Sequence, residues 1–302
     1  MNAIKQLTSN KRNELNTAVA LILPAAIIMA VVTIYPLVQS FIISFRDWDL
    51  LKPNDPHIFV WFENYKNVLT DPLFFNSVKV TGLFVLCAVS LEIIFGLFLA
   101  LLLNREFVGR QFIRMIALLP WAVPAVVNGI MWKWILNPSY GALNGLLHQF
   151  GLIDKYIIWL GSPGLALATV VVADVWKETP FIMLLLLSAL QTVPKDLYEA
   201  ATVDGASNLQ KLLLITIPLL RPTLFVAISL RTIWALKSFD LIYTLTAGGP
   251  SNATSVLGYY TYQKSFVSLD LGKGSAAAYI MTAIIMLVVI LYQRAIYREV
   301  NY

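Results

Sequence analysis

The sequence predicts an all-α membrane protein with six transmembrane helices. Three observations carry this. The chain of 302 residues is 58% hydrophobic and 13% charged, against about 45–50% apolar and about 25% charged in soluble domains. Its apolar residues gather into six runs long enough to cross about 30 Å of hydrocarbon. Three charges inside the fourth run, Asp174, Lys177 and Glu178, are spaced for one helical face rather than scattered. Aromatic residues reach 12%, and 15 Gly and 14 Pro are too few for a fibrous or low-complexity chain. The net charge of +5 is therefore read against lipid and topology, with no nucleic-acid partner. Cys87 stands alone, so no intrachain disulfide is available. No cluster of metal-ligating residues is evident.

The first run, Thr17–Phe45, follows Lys5, Lys11 and Arg12. It is too long for a signal-peptide core and no small-residue cleavage site closes it, so it reads as a retained span. A long acidic link with Asp47, Asp49, Asp55, Glu63 and Asp71 among its charges precedes the second span, Ser77–Asn104. Within it, Phe62, Tyr65, Val68 and Leu69 at helical spacing predict a short helix along the membrane surface. The next link is short and dense in Arg105, Arg110 and Arg114 against Glu106 alone. By the positive-inside rule it faces the cytoplasm, and so do both termini.

The third span, Ile113–Leu136, contains Pro120 and Pro124, which predict a helix break tolerated where backbone meets protein or water. Trp121, Trp132 and Trp134 suit interface anchors. Asn137–Asn144 reads as a turn before a short amphipathic piece. Trp48, Trp61 and Trp159 suit an outer surface, for receiving a protein or for anchoring in lipid. The remaining spans are Leu165–Val193, Leu213–Leu236 and Ala276–Tyr297, with Pro218 and Pro222 as further break points in the fifth.

Between spans four and five lies the loop 194–212. Pro194 precedes Asp196 and Glu199, a capping-box spacing, and Gly205 suits a left-handed helix stop. Ser207 and Gln210 repeat the capping pattern into the next helix. Ala200 and Ala201 provide a small-residue face where another backbone can approach closely. On local physics alone this is a well-made helix–turn–helix connector.

The loop also resembles a known motif. Glu199-Ala200-Ala201, Gly205, Ile215 and Ile217-Pro218 resemble the EAA loop of importer-type ABC permeases, with Ile217 where that family usually has Leu. The strings Glu63–Lys66, Asp71–Pro72, Leu119–Pro124, Trp176–Phe181, Phe239–Asp240 and Gly248–Pro250 are similar, in the same order, to carbohydrate-uptake permeases of the maltose/trehalose/glycerol-3-phosphate group. The resemblance covers nearly the whole chain. It implies one transmembrane permease domain over residues 1–302 with the type I importer fold, in a bacterial or archaeal inner membrane. The loop would be a coupling helix docking on a separate ATPase through Glu199, Ala200, Ala201, Asp204 and Gly205. The implied partners are a second homologous permease, two ATPase subunits and an extracytoplasmic binding protein; the substrate would be a sugar or glycerol phosphate. No phosphate-binding loop occurs in this chain, since Gly272-Lys273-Gly274 fails the required Lys-Ser/Thr order. ATP and Mg belong to the partner ATPases, and no cofactor is expected here.

A charge at mid-bilayer costs about 2.5–3.5 kcal/mol or more and so marks an inward or watery face. Asp174, Lys177, Glu178 and Phe181 fall at i, i+3, i+4 and i+7 in span four; Arg231, Trp234, Ala235 and Ser238 repeat that spacing in span five and its end. Two such stripes can line one wet cavity, where charged groups bind hydroxyls and aromatic faces cover sugar C–H patches. The resemblance implies the same, since in maltose-type permeases the matching positions line the sugar site. Their side chains differ there, so ligand identity does not transfer. The structural alternative is that Asp174 or Glu178 pairs with Lys177 or Arg231. Glu92 reads as a polar contact to a neighbouring span, and Lys237 and Asp240 as a pair or an outer gate.

Two other classes compete with this reading. An intramembrane enzyme finds little support, because only His57 and His148 are present and neither H-E-x-x-H nor G-x-S-x-G occurs. A stand-alone secondary transporter or channel could use the buried charges for ion coupling, but its customary internal repeat is absent from the sequence.

Overall fold

The computed structural model describes residues 17–52 and 57–297. The N-terminal Lys5, Lys11 and Arg12, and Asp55, lie outside the described residues. Among those described, the protein is helical and contains no strand; two isolated bridges, Arg46 with Phe59 and Asp49 with Asp270, are the nearest approach to one. Two compact units divide the chain.

The first unit takes the described residues up to Val68 together with Lys264–Tyr279. Its long helix α1, Thr17–Ser44, has no buried residue in its apolar window, as expected of a helix whose solvent is lipid. Its C-terminal part is fastened: the Tyr279 hydroxyl donates to the Leu37 carbonyl at 2.6 Å and lies 3.1 Å from the Ser40 hydroxyl. Ser44 is fully buried, its hydroxyl 2.8 Å from the Tyr65 hydroxyl. Asn64 Nδ2 donates to the Ser44 and Arg46 carbonyls at 2.9 and 2.8 Å. These contacts hold the short helix α2, Glu63–Thr70. Of the face expected to lie on the membrane, Val68 is buried while Phe62 and Leu69 are exposed.

The second unit takes Leu69–Gln263 and the described residues from Ile280. Helix α3, Pro72–Asn104, begins with Asp71 capping the Leu73 N–H at 2.9 Å. The expected third span is two helices, α4 (Arg110–Ala122) and α5 (Ala125–Ile135), meeting at 96°. The break follows from Pro124: it drives Val123 into extended backbone (φ −73°, ψ 125°) and has no N–H to continue the helix. After α6, Ala142–Gln149, come α7, Pro163–Leu190, and α8, Lys195–Val203. Helix α9, Asn208–Leu236, widens to a π turn at Leu212–Thr216 just before Pro218. Short helices α10, Asp240–Leu245, and α11, Leu257–Tyr262, follow. The last helix, α12, Leu271–Tyr297, has residues in each unit.

Among the described residues, four helices are long and apolar enough to cross a bilayer: α1, α3, α9 and Leu271–Tyr292 of α12; the bent α4–α5 pair makes a fifth if it is one span. Helix α7 has 28 residues, but Asp174, Lys177 and Glu178 make it too charged to be recognised by apolarity alone. It is instead the core of the second unit. Phe84, Ala88, Val170, Ala173 and Ile242 form one buried cluster; Ala100, Leu103, Ile182, Leu186 and Leu220 form another. Between them α3 and α7 approach so closely that a Cβ on Gly96 would lie 2.5 Å from Ile182 Cγ2. The opposite face of α3 stays apolar and exposed at Leu86, Ile94 and Phe98, a lipid-facing pattern.

Candidate functional site

The two stripes meet. Arg231 on α9 is only 3% exposed, and its fork engages Glu92 on α3, which is fully buried. Nε donates to Glu92 Oε2 and Nη2 to Oε1, both at 2.6 Å. Nη2 also donates to Asp174 Oδ2 on α7 at 2.9 Å, and Nη1 lies 3.9 Å from Glu178 Oε2. Lys177 Nζ donates to Glu178 Oε1 at 2.6 Å. Three carboxylates and two cations thus join three helices around one guanidinium, whose planar donors suit this bidentate arrangement.

These charges are paired with one another and also line a cavity. The pairing alternative holds for Asp174, Glu178, Lys177 and Arg231, yet the same side chains line a half-open cavity of about 240 Å³. Seven of the eight predicted residues line it: Asp174, Lys177, Glu178, Arg231, Trp234, Ala235 and Ser238. Phe181 does not; its ring packs between Trp234 (centroids 5.0 Å) and Trp121 (5.8 Å), supporting the cavity wall from behind. Lys237 and Asp240 also line the cavity, and neither has an ion-pair partner among the described residues.

Sequence reasoning placed Glu92 correctly as a polar contact to another span but did not find that it is Arg231's main partner. The signal was charge balance: a lone intramembrane Arg demands an acid. It also missed Asn128. This residue sits in the first turn of α5, fully buried, beside the break at Pro124. Its Nδ2 donates to the Ala173 carbonyl at 3.2 Å, while its Oδ1 has no partner, and it lines the cavity. Trp132, expected as an interface anchor, instead packs edge-on against Trp176 at 6.1 Å. Trp159 donates its ring N–H to buried Asn144 at 3.0 Å.

The loop after α7 is the second place of interest. Asp196 was expected to cap α8. Pro194 holds the cap position instead, the helix starts at Lys195, and no side chain caps it. Asp196 stands in the first turn, where its charge still opposes the helix dipole. At the other end Gly205 has φ +77°, and Ala206 N–H reaches back to the Ala201 carbonyl at 2.9 Å, the Schellman closure. Ser207 and Gln210 form the expected reciprocal capping box (3.3 and 2.8 Å). Two side-chain links fix α8 to the start of α9: Tyr198 to Thr216 at 2.9 Å and Lys211 to Thr202 at 2.7 Å. Glu199, Ala200, Asp204 and Gly205 are exposed, and Ala201 is half-buried.

The model of the family described as the binding-protein-dependent transport system inner membrane component matches residues 92–302, from Glu92 of the ion cluster through the capped loop to the end. The chain belongs to this family. It is a multi-pass inner-membrane component. It is 42% identical to the trehalose/maltose transport system permease protein MalF of Thermococcus litoralis, over 95% of this chain and 96% of that one. It is 39% identical to the sulfoquinovosyl glycerol transport system permease protein SmoG of Agrobacterium fabrum, over 92% and 90%. A solved bacterial ABC transporter involved in import of the acidic polysaccharide alginate has a chain of the same fold. Its TM-score is 0.82 at 22% identity, covering 98% of this permease and 100% of that chain. The alginate transporter in complex with its pentasaccharide-bound periplasmic protein gives 0.79, also at 22% identity.

Proposed function

We propose that this permease is a transmembrane subunit of an ATP-driven sugar importer. It forms half of the translocation pathway as one domain of six spans, α7 and the broken α4–α5 pair being two of them, with both termini in the cytoplasm. A second homologous permease supplies the other half, and an extracytoplasmic binding protein delivers the sugar. Two partner ATPases hold ATP and Mg and push on the helix α8 through Glu199, Ala200, Ala201, Asp204 and Gly205. Relatives named for trehalose/maltose and for sulfoquinovosyl glycerol transport support a sugar or glycosylated cargo.

The observation that carries the reading is the convergence of the two stripes on one cavity. Trp234 is 38% exposed and can cover the C–H face of a sugar ring. Lys177, Glu178, Ser238 and Asp240 can bond its hydroxyls, the charged ones strongly. Arg231, spent on three carboxylates, orients Asp174 and Glu178 rather than reaching outward. Phe181 and Ala235 shape the wall. The cavity lies below the usual volume for a small-molecule site, about 300–1,000 Å³, which suits one half of a shared pathway. Differential contacts with cargo in the outward- and inward-open states then couple binding to the cycle.

The test is uptake by the reconstituted complex. Trp234→Ala and Glu178→Gln each reduce transport about tenfold or more while copurification with the partner subunits persists. Unchanged uptake and unchanged sugar affinity in both would remove the cavity from the pathway. Uptake driven by an ion gradient, and indifferent to ATPase mutation, would replace the importer with a secondary transporter.

A further inference from the structure

A second, larger cavity of about 650 Å³ lies where the end of α3 meets α8 and the start of α9. Its polar side is Asn104, Arg105, Tyr198, Asn208 and Lys211; its apolar side includes Phe98 and Leu102, and no acidic residue lines it. Neither cation is neutralised by an acidic side chain among the described residues. Lys211 bonds a hydroxyl, that of Thr202, and Arg105 has no ion-pair partner among the described residues. Glu106, next in sequence, is paired across 3.8 Å with Lys195, with both side chains in the open.

The apolar side does not end at the cavity. Phe98 is 62% and Leu102 45% exposed, and the same face of α3 continues through Ile94, 60% exposed. At 1.5 Å per residue, the 33 residues of α3 span about 50 Å, more than the hydrocarbon and close to a whole bilayer of about 40–45 Å. Asn104 and Arg105 therefore stand at headgroup depth, and the stripe above them stands in the acyl layer. A free anion would use the cations and leave that stripe without purpose. A molecule with phosphate at one end and hydrocarbon at the other uses both.

We propose that this cavity binds the phosphate of an anionic phospholipid, with an acyl chain along Phe98 and Ile94. Its placement in the cytoplasmic leaflet, where anionic lipids are recruited by basic residues, rests on the coupling reading of α8. Bound there, the lipid bridges α3 to the coupling loop and makes transmission from the ATPase sensitive to lipid charge.

The probe is phosphatidylglycerol. The whole complex, with its partner permease and ATPases, is equilibrated in nanodiscs of phosphatidylcholine with and without phosphatidylglycerol, released into detergent, and its retained lipid is read by native mass spectrometry. Arg105→Gln with Lys211→Gln lowers retained phosphatidylglycerol on the order of tenfold, and Arg105→Lys with Lys211→Arg restores it. In the wild type, ATPase stimulation by the loaded binding protein rises with phosphatidylglycerol; in the Gln pair it does not. Equal retention by the wild type and the Gln pair overturns the proposal. So does displacement of the lipid by inorganic phosphate, which marks a free-anion site. Retention needs no ATP hydrolysis, so the two readings fail separately. Loss of lipid from the Gln pair with an unchanged ATPase response supports the lipid site and counts against α8 as the coupling element.

Discussion

The ion cluster and the capped loop are two polar regions of the second unit held by opposite means. At the cluster the contacts that join helices are long-range: Arg231 meets Glu92 139 positions away and Asp174 57 away, and only Lys177 pairs with a neighbour, Glu178. At the loop the fastenings are local: Gly205, the Ala206-to-Ala201 bond and the Ser207–Gln210 box lie within a few residues of one another. Charges in a buried setting must find opposite charges wherever the fold brings them, because an unpaired one is too costly to keep. A helix end near water needs only its own neighbours to satisfy its free N–H and C=O groups. The cluster therefore serves as a joint among three helices, and the loop as a self-contained rigid peg.

The comparison breaks most visibly at Glu92. Glu92→Ala leaves a buried guanidinium with only one close partner, and breaking a buried pair costs about 3–5 kcal/mol. The expected result is a fall in Tm of roughly 10 °C in the detergent-solubilised complex, read by size-exclusion after heating. Glu92→Gln keeps a hydrogen-bond acceptor and loses less. A Tm for Glu92→Ala within 2 °C or so of wild type would mean that the joint is not structural.

A smaller effect is expected at Gly205. A Cβ placed there meets nothing within 4 Å, so the cost of Gly205→Ala is the left-handed backbone itself, φ +77°. That cost is about 1–2 kcal/mol, enough to loosen the end of α8 without unfolding the unit. Sugar imported per ATP hydrolysed should fall while sugar affinity stays constant, and Gly205→Asn, which tolerates this conformation, should fall less. Equal transport stoichiometry in all three proteins would separate α8 from coupling.

This contrast also explains what could be read in advance. The π turn aside, the loop was legible nearly residue by residue, because caps and stops are written in neighbours three or four apart. The one error there, Asp196 as cap, arose because Pro194 starts the helix two residues earlier than the capping box requires. The stripes were legible as faces, since periodicity shows which residues of one helix lie together. Which helix each face meets was not. Arg231 could be assigned an acid, but that it bonds Glu92 as well as Asp174 depends on the register of α3 against α7, where Gly96 admits Ile182. Asn128 was invisible for a related reason. Its importance comes from the 96° break that turns α5 toward the cavity, and a Pro pair predicts a break without its angle.

The smallest effect sharpens the comparison most, because it acts on the peg alone. Ser207→Ala removes the hydroxyl that accepts the Gln210 N–H at 3.3 Å, a loss of about 1 kcal/mol for an N-cap. Tyr198–Thr216 and Lys211–Thr202 still pin α8 to α9, so the change should shift Tm by only about 2–4 °C and leave Arg231 and its partners in place. Hydrogen exchange would find faster exchange at Leu209 and Gln210 and none at residues 174–178 or 228–232. Faster exchange at the ion cluster as well would mean that loop and joint form one cooperative element. A push on α8 would then reach the cavity by melting rather than by movement of a rigid helix.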